Sequence, residues 1–407
     1  MSPYAVLVAV LLAFCYAVWK ARGSSNSSKL PPSPPSRPVL GHLHLLGRHP
    51  HRSLRELHAR YGTDGGLLLL QLGRRRTLVV STAAAAAGLY KNHDLAFASR
   101  VPSAPADKLT YGSTNVSFAP YGDAWRRSKK VVRWATGLEK KLDAELEQWD
   151  KFLSEIIAEH LEKKPDNGAG EESFLDVLLR LREEGAAGLE LTDDRIKSLI
   201  KDMIAGGTDT ASVTLEWAMT ELVANPRAMA KLQDEINRVT EGKPTIEEDD
   251  LSRMEYLKAV LKEVLRLHPA APLLIPHQST TAAVVQGYEI PAETGLFVNA
   301  WALGRDPAAW GATAEEFWPE RFLGGGSAQG VDLRGNDYQL LPFGAGRRLC
   351  PGISFAMPVL ETALSSLVRH FDWELPAGAR LDMNEAPGLI TPPLAPLRLV
   401  PKYRRQQ

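Results

Sequence analysis

The chain opens on an uncharged apolar run, Tyr4–Trp19, followed at once by Lys20 and Arg22. As a helix this run would span roughly 24 Å, somewhat short of a bilayer core about 30 Å thick. A cleaved signal peptide would want its basic residues before the apolar run and a small-residue cleavage site after it. Here the basic residues come after the run, which keeps the bulk of the chain on the cytosolic side of a membrane. Residues 1–20 are therefore read as an uncleaved anchor. Residues 21–40 form a polar and Pro-rich linker, with Ser24–Ser28 ahead of the proline-dense stretch Leu30–Pro38. Such a stretch is stiff polyproline II and serves as a plain linker or as a strut that sets the tilt of the globular domain on the membrane.

From residue 41 the pattern is that of a folded domain running to 407. Leu67–Leu72 and Thr77–Val80 flank Gly73-Arg74-Arg75-Arg76 and predict a β-hairpin with a basic turn. Ser81–Tyr90 is alanine-rich and predicts a helix, whereas Phe97–Ser117, with Pro102, Pro105 and Gly112, has no period and predicts a long loop. Leu138–Glu162 carries Leu142, Leu146, Phe152, Leu153, Ile156 and Ile157 at helical spacing. Thr192 with Asp193 and Asp194 is a helix start, and the helix runs to Ala224, ahead of Asn225-Pro226. At roughly 33 residues against an average of about 11–12, it must cross the whole domain. Met254–Leu267, closed by His268-Pro269, and Ile353–Phe371 are further helices. Pro358 inside the last one costs about 3 kcal/mol or forces a kink. Gly287–Val298 predicts two strands around Pro291 and Gly295, and Gly311–Leu341 is loop-rich. The fold class is mainly α with a small β-sheet region, without an internal repeat.

Charge and cysteine usage narrow the picture. The 48 basic residues balance 48 acidic ones, which argues against a nucleic-acid partner, since such proteins carry a basic surplus. Of two cysteines, Cys15 lies in the apolar run, so the globular part has Cys350 alone. It can form no internal disulfide and suits a reducing compartment.

That cysteine sits in Phe343-Gly344-Ala345-Gly346-Arg347-Arg348-Leu349-Cys350-Pro351-Gly352, a glycine-rich loop just before a helix. Glycines let backbone come close to a flat partner. A helix start and neighbouring arginines favour a thiolate, and a thiolate is an axial ligand of haem iron. A tight turn around a buried, inert cysteine fits such a loop equally well. The long helix contains Ala205-Gly206-Gly207-Thr208-Asp209-Thr210-Ala211. Two interior glycines cost about 1 kcal/mol each against alanine, a defect unless something approaches closely there. A loose helix crossing is the bland alternative.

The cysteine loop resembles the ligand signature of the cytochrome P-450 superfamily, Phe-x-x-Gly-x-Arg-x-Cys-x-Gly, with every specified position matched at Phe343, Gly346, Arg348, Cys350 and Gly352. Further motifs fall in that family's order. Glu263-Val264-Leu265-Arg266 is similar to its Glu-x-x-Arg helix, and Phe317-Trp318-Pro319-Glu320-Arg321-Phe322 to its Pro-Glu-Arg-Phe stretch. The resemblance implies a buried network of Glu263, Arg266 and Arg321. It implies Thr210 as a hydrogen-bond donor to dioxygen and Asp209 as a link in proton delivery, although Ala211 departs from the usual hydroxyl residue. It also implies a propionate site. Trp125-Arg126-Arg127-Ser128-Lys129 is similar to Trp-x-x-x-Arg, with lysine at Lys129 losing the bidentate geometry of arginine. His277 and Arg348 are the other candidates. Arg126, Arg127, Lys130 and Arg347 are either solvated or a patch that docks an acidic electron donor.

The family implies heme b (iron protoporphyrin IX) held by the Cys350 thiolate, electrons from NADPH through an NADPH-cytochrome reductase, and insertion of one atom of dioxygen into a small apolar molecule. It places the protein on the endoplasmic reticulum membrane with the catalytic domain facing the cytosol. Details such as Ala-Gly-Gly-Thr-Asp-Thr and Pro-Phe-Gly-Ala-Gly-Arg-Arg resemble the plant microsomal group of secondary metabolism. Thr214-Leu215-Glu216-Trp217-Ala218 resembles the flavonoid and isoflavone hydroxylase-like branch. Between Trp125 and Thr210, however, relatives carry more chain by roughly 100 residues, a small domain's worth. An internal deletion near 131–134 would leave the fold incomplete on its distal, substrate-roof side. A non-catalytic or defective truncated haem-binding variant is therefore the alternative expectation, and a haem-thiolate isomerase or dehydratase a third.

Overall fold

The computed structural model describes residues 29–63, 65–103, 106–107, 110, 112–123, 125–126, 128, 153–158, 173–185, 190–241, 243 and 245–404. The expected anchor at 1–20, most of the helix expected at 138–162, the junction at 131–134 and Lys129 lie outside the described residues. Among the described residues, no helix is long and apolar enough to cross a membrane.

The helices are α1 Pro50–Tyr61, α2 Ala83–His93, α3 Phe174–Glu183, α4 Asp193–Gly207, α5 Asp209–Ala224, α6 Pro226–Val239, α7 Glu248–Ser252, α8 Glu255–Leu267, α9 Ala300–Leu303, α10 Pro307–Trp310 and α11 Ile353–His370. The strands are β1 Leu67–Leu72, β2 Arg75–Val80, β3 Ser99–Arg100, β4 His277–Gln278, β5 Ala283–Val285, β6 Tyr288–Ile290, β7 Gly295–Val298, β8 Phe371–Glu374 and β9 Val400–Tyr403. One sheet has the order β1-β2-β7-β4-β3, and β5-β6 and β8-β9 are separate hairpins. The sheet is antiparallel except where β2 runs parallel to β7, Thr77 opposite Gly295.

Local chemistry explains the boundaries. The Thr192 hydroxyl accepts the Arg195 N–H and so caps α4, with Asp193 and Asp194 in its first turn. Ser173 and Asp176 form a reciprocal capping box at the start of α3. The β1–β2 turn is tighter than expected. Leu72 pairs directly with Arg75, so Arg75 and Arg76 belong to the strand, and Gly73 takes the left-handed conformation the turn needs, φ 58°. Phe371, expected to end the last helix, instead opens β8 opposite Tyr403. Pro358 stays within α11 on an exposed face, where water can satisfy the carbonyl it leaves unbonded.

The long helix departs most from expectation, because it is two helices broken at Thr208. The Thr208 hydroxyl donates to the Ile204 carbonyl (3.0 Å) and the Thr210 hydroxyl to the Gly206 carbonyl (2.5 Å). Such back-bonding onto the i−4 carbonyl bends helices, and it falls beside two glycines that resist bending least.

The main core joins α5, α6, α8 and α11 through Trp217, Leu222, Leu232, Leu257, Leu261 and Leu364, all fully buried. A second cluster packs α3 against α4 through Leu178, Ile196 and Leu199. A third covers the large sheet with α2 through Leu78, Val80 and Leu89.

Candidate active site

The cysteine loop is built by two left-handed glycines and one carboxylate. Gly344 and Gly346 have φ of 74° and 62°, which residues with a β-carbon seldom adopt. A β-carbon on Gly346 would collide with the Asp94 carboxylate. Asp94 closes α2, accepts the Arg347 backbone N–H (3.0 and 3.2 Å) and pairs with the Arg347 side chain at 3.3 Å. The Cys350 N–H donates to the Phe343 carbonyl at 2.9 Å, closing the loop. A 3-10 turn over Gly346–Arg348 then leads to Gly352, the N-cap of α11. Cys350 is half-buried there, and a β-carbon on Gly352 would lie 3.8 Å from Sγ. The thiol thus sits beside a helix start, where a thiolate is favoured.

Beside this loop lies a corner of buried positive charge. Arg348 donates to the carbonyls of Ala98 (2.7 Å), Val116 (3.0 Å) and Ala119 (2.6 Å). Its guanidinium lies 4.0 Å from the Trp125 ring centre, and the Trp125 indole N–H donates to the Val116 carbonyl at 2.9 Å. Arg100 donates to the carbonyls of Ser117 (2.8 Å) and Ile275 (2.7 Å). His277 is bonded through Nδ1 to the Phe97 carbonyl at 2.9 Å. Burial, and then the charge of Arg100, pushes Arg348 down to about 8. Burial takes Arg100 down to about 10, and burial followed by the charge of Arg100 holds His277 well below the ordinary imidazole value.

Neither arginine is ion-paired with a described carboxylate. Asp202 on α4 comes nearest in effect. Its oxygens accept the N–H groups of Val116 (2.6 Å) and Ser117 (3.3 Å) and the Asn115 side chain (2.7 Å), and burial raises its own pKa. Two neighbouring guanidiniums out of water are costly without an anion beside them. A cofactor that carries carboxylates fits this corner. On α4, β-carbons at Gly206 and Gly207 would meet no atom of the described residues within 4 Å beyond their own stretch of helix, so packing among the described residues does not require these glycines and a flat group has room to approach. The residues present therefore fit a haem.

The ion-pair network expected around Glu263 is assembled. Glu263 and Arg266 are both on α8, and Arg321 is in the 3-10 turn Pro319–Phe322. Glu263 binds Arg266 through two bonds of 2.7 Å and accepts Arg321 Nε at 3.0 Å and the Trp318 N–H at 2.8 Å. All three side chains are fully buried. Phe343 packs at the edge of a cluster with Leu265, Phe322 and Leu340. Asp209 opens α5 on an exposed face, one residue before Thr210. Arg126 pairs with Asp123 and lies over Tyr121.

The family profile described as Cytochrome P-450 matches residues 31–135 and 131–397. The chain belongs to the cytochrome P-450 family. Its relatives include a cytochrome P-450 of Prunus mume, 36% identical over 504 aligned positions that cover 98% of this chain and 96% of the relative. Cytochrome P-450 71A1 of Persea americana is 37% identical over 89% of this chain and 91% of its own. A 3-hydroxyindolin-2-one monooxygenase of Zea mays is 36% identical over 98% and 94%. A zebrafish cytochrome P-450 solved with abiraterone shares the fold at a TM-score of 0.72 and 24% identity, covering 88% of this chain and 100% of that one. This cytochrome P-450 is thus a plant-type oxygenase of the haem-thiolate class, and it is shorter than its relatives. The alignment with the Prunus protein needs 504 positions although the chain has 407 residues, and the two stretches matched to the family profile overlap at 131–135.

Asp94, Arg100 and Asp202 were not among the expected site residues. Asp202 falls on the polar face of an amphipathic helix, and Asp94 and Arg100 in segments without a period. Only the closure of the loops against one another singles them out.

Proposed function

We propose that this chain is a monooxygenase of the endoplasmic reticulum membrane, with its catalytic domain in the cytosol. It takes electrons from NADPH through an NADPH-cytochrome reductase. It places one atom of dioxygen in a small apolar molecule, a plant secondary metabolite or a xenobiotic. The observation that carries this reading is the half-buried Cys350 at the start of α11, beside the buried arginine corner.

Bound haem supplies the activation of dioxygen, and the chain's own residues supply the rest. Cys350 is the metal ligand, with Phe343, Gly346 and Gly352 shaping its loop and Asp94 fixing the entry. Arg348, Arg100, His277, Trp125 and Lys129 would hold the haem carboxylates, Trp125 by stacking under Arg348. The Thr210 hydroxyl, bonded to the Gly206 carbonyl, holds a proton beside the two glycines. Asp209, exposed at the head of α5, passes protons from solvent to it. Glu263, Arg266 and Arg321 fix the frame on which the cysteine loop rests. Acidic electron donors would meet Arg347 and Arg126, both solvent-facing.

The test is the spectrum of the reduced carbon-monoxide complex. The wild type should show the red-shifted band of thiolate ligation, and Cys350→Ser should abolish it. A persisting band would remove Cys350 from the site. One observation favours the alternative, a truncated haem-binding variant with little turnover. The alignment with the Prunus relative needs 504 positions for a chain of 407 residues, so a stretch that the relative carries is missing here. NADPH consumption with added reductase separates the two readings.

A further inference from the structure

Away from the haem site, the start of α1 meets the loop that carries Glu385. His49 is the N-cap of α1 and His51 its second residue, with Pro50 between them. The change from extended backbone at His49 to helix turns both rings toward one carboxylate. His51 Nε2 lies 3.0 Å from Glu385 Oε2, and the two imidazoles sit edge to face with centres 5.9 Å apart. One ligand atom from each of His49, His51 and Glu385 lies within 4.8 Å of the other two. His51 and Glu385 are buried, and His49 Nδ1 is shut off from solvent with no hydrogen-bond partner among the described residues.

We infer that His49, His51 and Glu385 form a binding site for a divalent transition-metal ion, with zinc as the best-suited probe. Two imidazole nitrogens and one carboxylate oxygen are the donor set of such ions, whereas calcium and magnesium take oxygen ligands. The surroundings supply the outer contacts a metal site needs. The Trp301 indole N–H donates to Glu385 Oε1 at 2.9 Å and fixes the carboxylate plane. The Asn299 side chain donates to the His51 carbonyl at 2.8 Å and fixes the backbone beneath that ring. The unpartnered nitrogen of His49 then has a role, since a lone pair turned away from water is costly unless it binds something.

Arg52 is the competitor. Its Nε and Nη2 donate to Glu385 Oε2 at 2.9 and 2.7 Å. That side chain is 44% exposed, so it can swing into solvent when a dication replaces it. The ion would then clamp α1 to the segment that runs from Glu385 to Thr391, whose N–H bonds Ala270 and whose carbonyl accepts the Trp217 indole N–H.

Zinc chloride is titrated by calorimetry into the haem-loaded full chain, in which Cys350 is engaged, and thermal unfolding is recorded with and without zinc. The wild type should bind one zinc and unfold at a higher temperature with it. His49→Ala, at a half-buried surface position that leaves His51 and Glu385 bonded, should weaken zinc at least 10-fold and lose the thermal shift. His44→Ala, outside the cluster, should leave both unchanged. Arg52→Ala should tighten zinc, because the competing cation is gone. Equal zinc binding by wild type and His49→Ala, or no saturable binding by the wild type, overturns the site.

Discussion

Replacing Glu263 by glutamine tests the frame of the haem domain directly. In the wild type its two oxygens accept four donors: Arg266 twice, Arg321 Nε and the Trp318 N–H. The remaining donors go to the carbonyls of Gly304, Ala314 and Glu316 for Arg266, and to the carbonyls of Thr313 and Glu316 and the Thr313 hydroxyl for Arg321. Glutamine keeps the shape but offers one acceptor oxygen, and its amide group points N–H bonds at guanidiniums that cannot accept them. Two positive charges at 0% side-chain exposure then lose their neutralising partner. Breaking a buried ion pair in this way costs about 3–5 kcal/mol, a large part of a typical total of about 5–15 kcal/mol. Glu263→Gln should therefore express mostly as haem-free or aggregated protein, and the soluble fraction should unfold at a clearly lower denaturant concentration. Arg321→Lys keeps the charge and loses the fork, so it should fall between mutant and wild type. The assay is denaturant unfolding followed by tryptophan fluorescence, with the carbon-monoxide spectrum as the measure of haem held. A Glu263→Gln midpoint equal to wild type would refute the argument that this carboxylate neutralises the pair.

Thr210→Ala should keep haem yet divert electrons to peroxide or water, since the hydroxyl that rests on Gly206 is lost. An unchanged ratio of product to NADPH consumed would exclude it from proton handling. Glu385 carries a pH prediction. Hydrogen bonds from His51 and Arg52 outweigh the opposing effect of burial and hold its carboxyl at about 2, against an ordinary 4.5. Its contribution, roughly 3 kcal/mol, is present above pH 4.5 and disappears as the pH falls through about 2. Glu385→Gln should thus be less stable than wild type at pH 7 by about that amount and level with it near pH 2. A gap that stays constant with pH would contradict this. Restoring to this chain the segment its relatives carry should raise haem occupancy and coupled turnover with a reductase, because an uncovered distal side admits water and exposes apolar surface. Equal occupancy and turnover by the two forms would show the short chain to be a competent enzyme.

Helices with a strong apolar stripe and a polar start, such as α4 with Thr192 and α8 with its buried Leu257, Leu261 and Val264, were legible from sequence because periodicity and capping are local. The β1–β2 hairpin was legible for the same reason. The ion-pair network was legible only by resemblance, since Glu263 and Arg321 are far apart in sequence and each alone is an ordinary charged residue. The break at Thr208 was hidden, because two threonine hydroxyls turned onto backbone carbonyls leave no mark in the hydrophobic pattern. Arg100 was hidden for a related reason. Its acceptors, like those of Arg348, are main-chain carbonyls of Ile275, Ser117, Ala98 and Ala119, and a carbonyl is present whatever the side chain. No residue type at those positions could have signalled the corner.

That corner ties together the two sides of the haem domain. Asp202, on the helix that continues toward Thr210, accepts the N–H groups of Val116 and Ser117. The carbonyls of the same two residues accept Arg348 and Arg100. One short stretch of backbone thus lies between a half-buried carboxylate and two buried guanidiniums, and its peptide dipoles are aligned by both. Among the described residues Asp202 is one negative charge against two positive ones, so the arrangement is left with a cation in excess. Haem carboxylates would remove that excess, and the stabilisation would reach the backbone at Ala98, Val116 and Ala119, whose carbonyls accept Arg348. Binding of the cofactor and the placing of these carbonyls are then linked in the thermodynamic sense, each favouring the other. The same linkage explains why the signature arginine of the cysteine loop is placed here. It reads the presence of the cofactor through backbone that also touches the helix leading to Thr210.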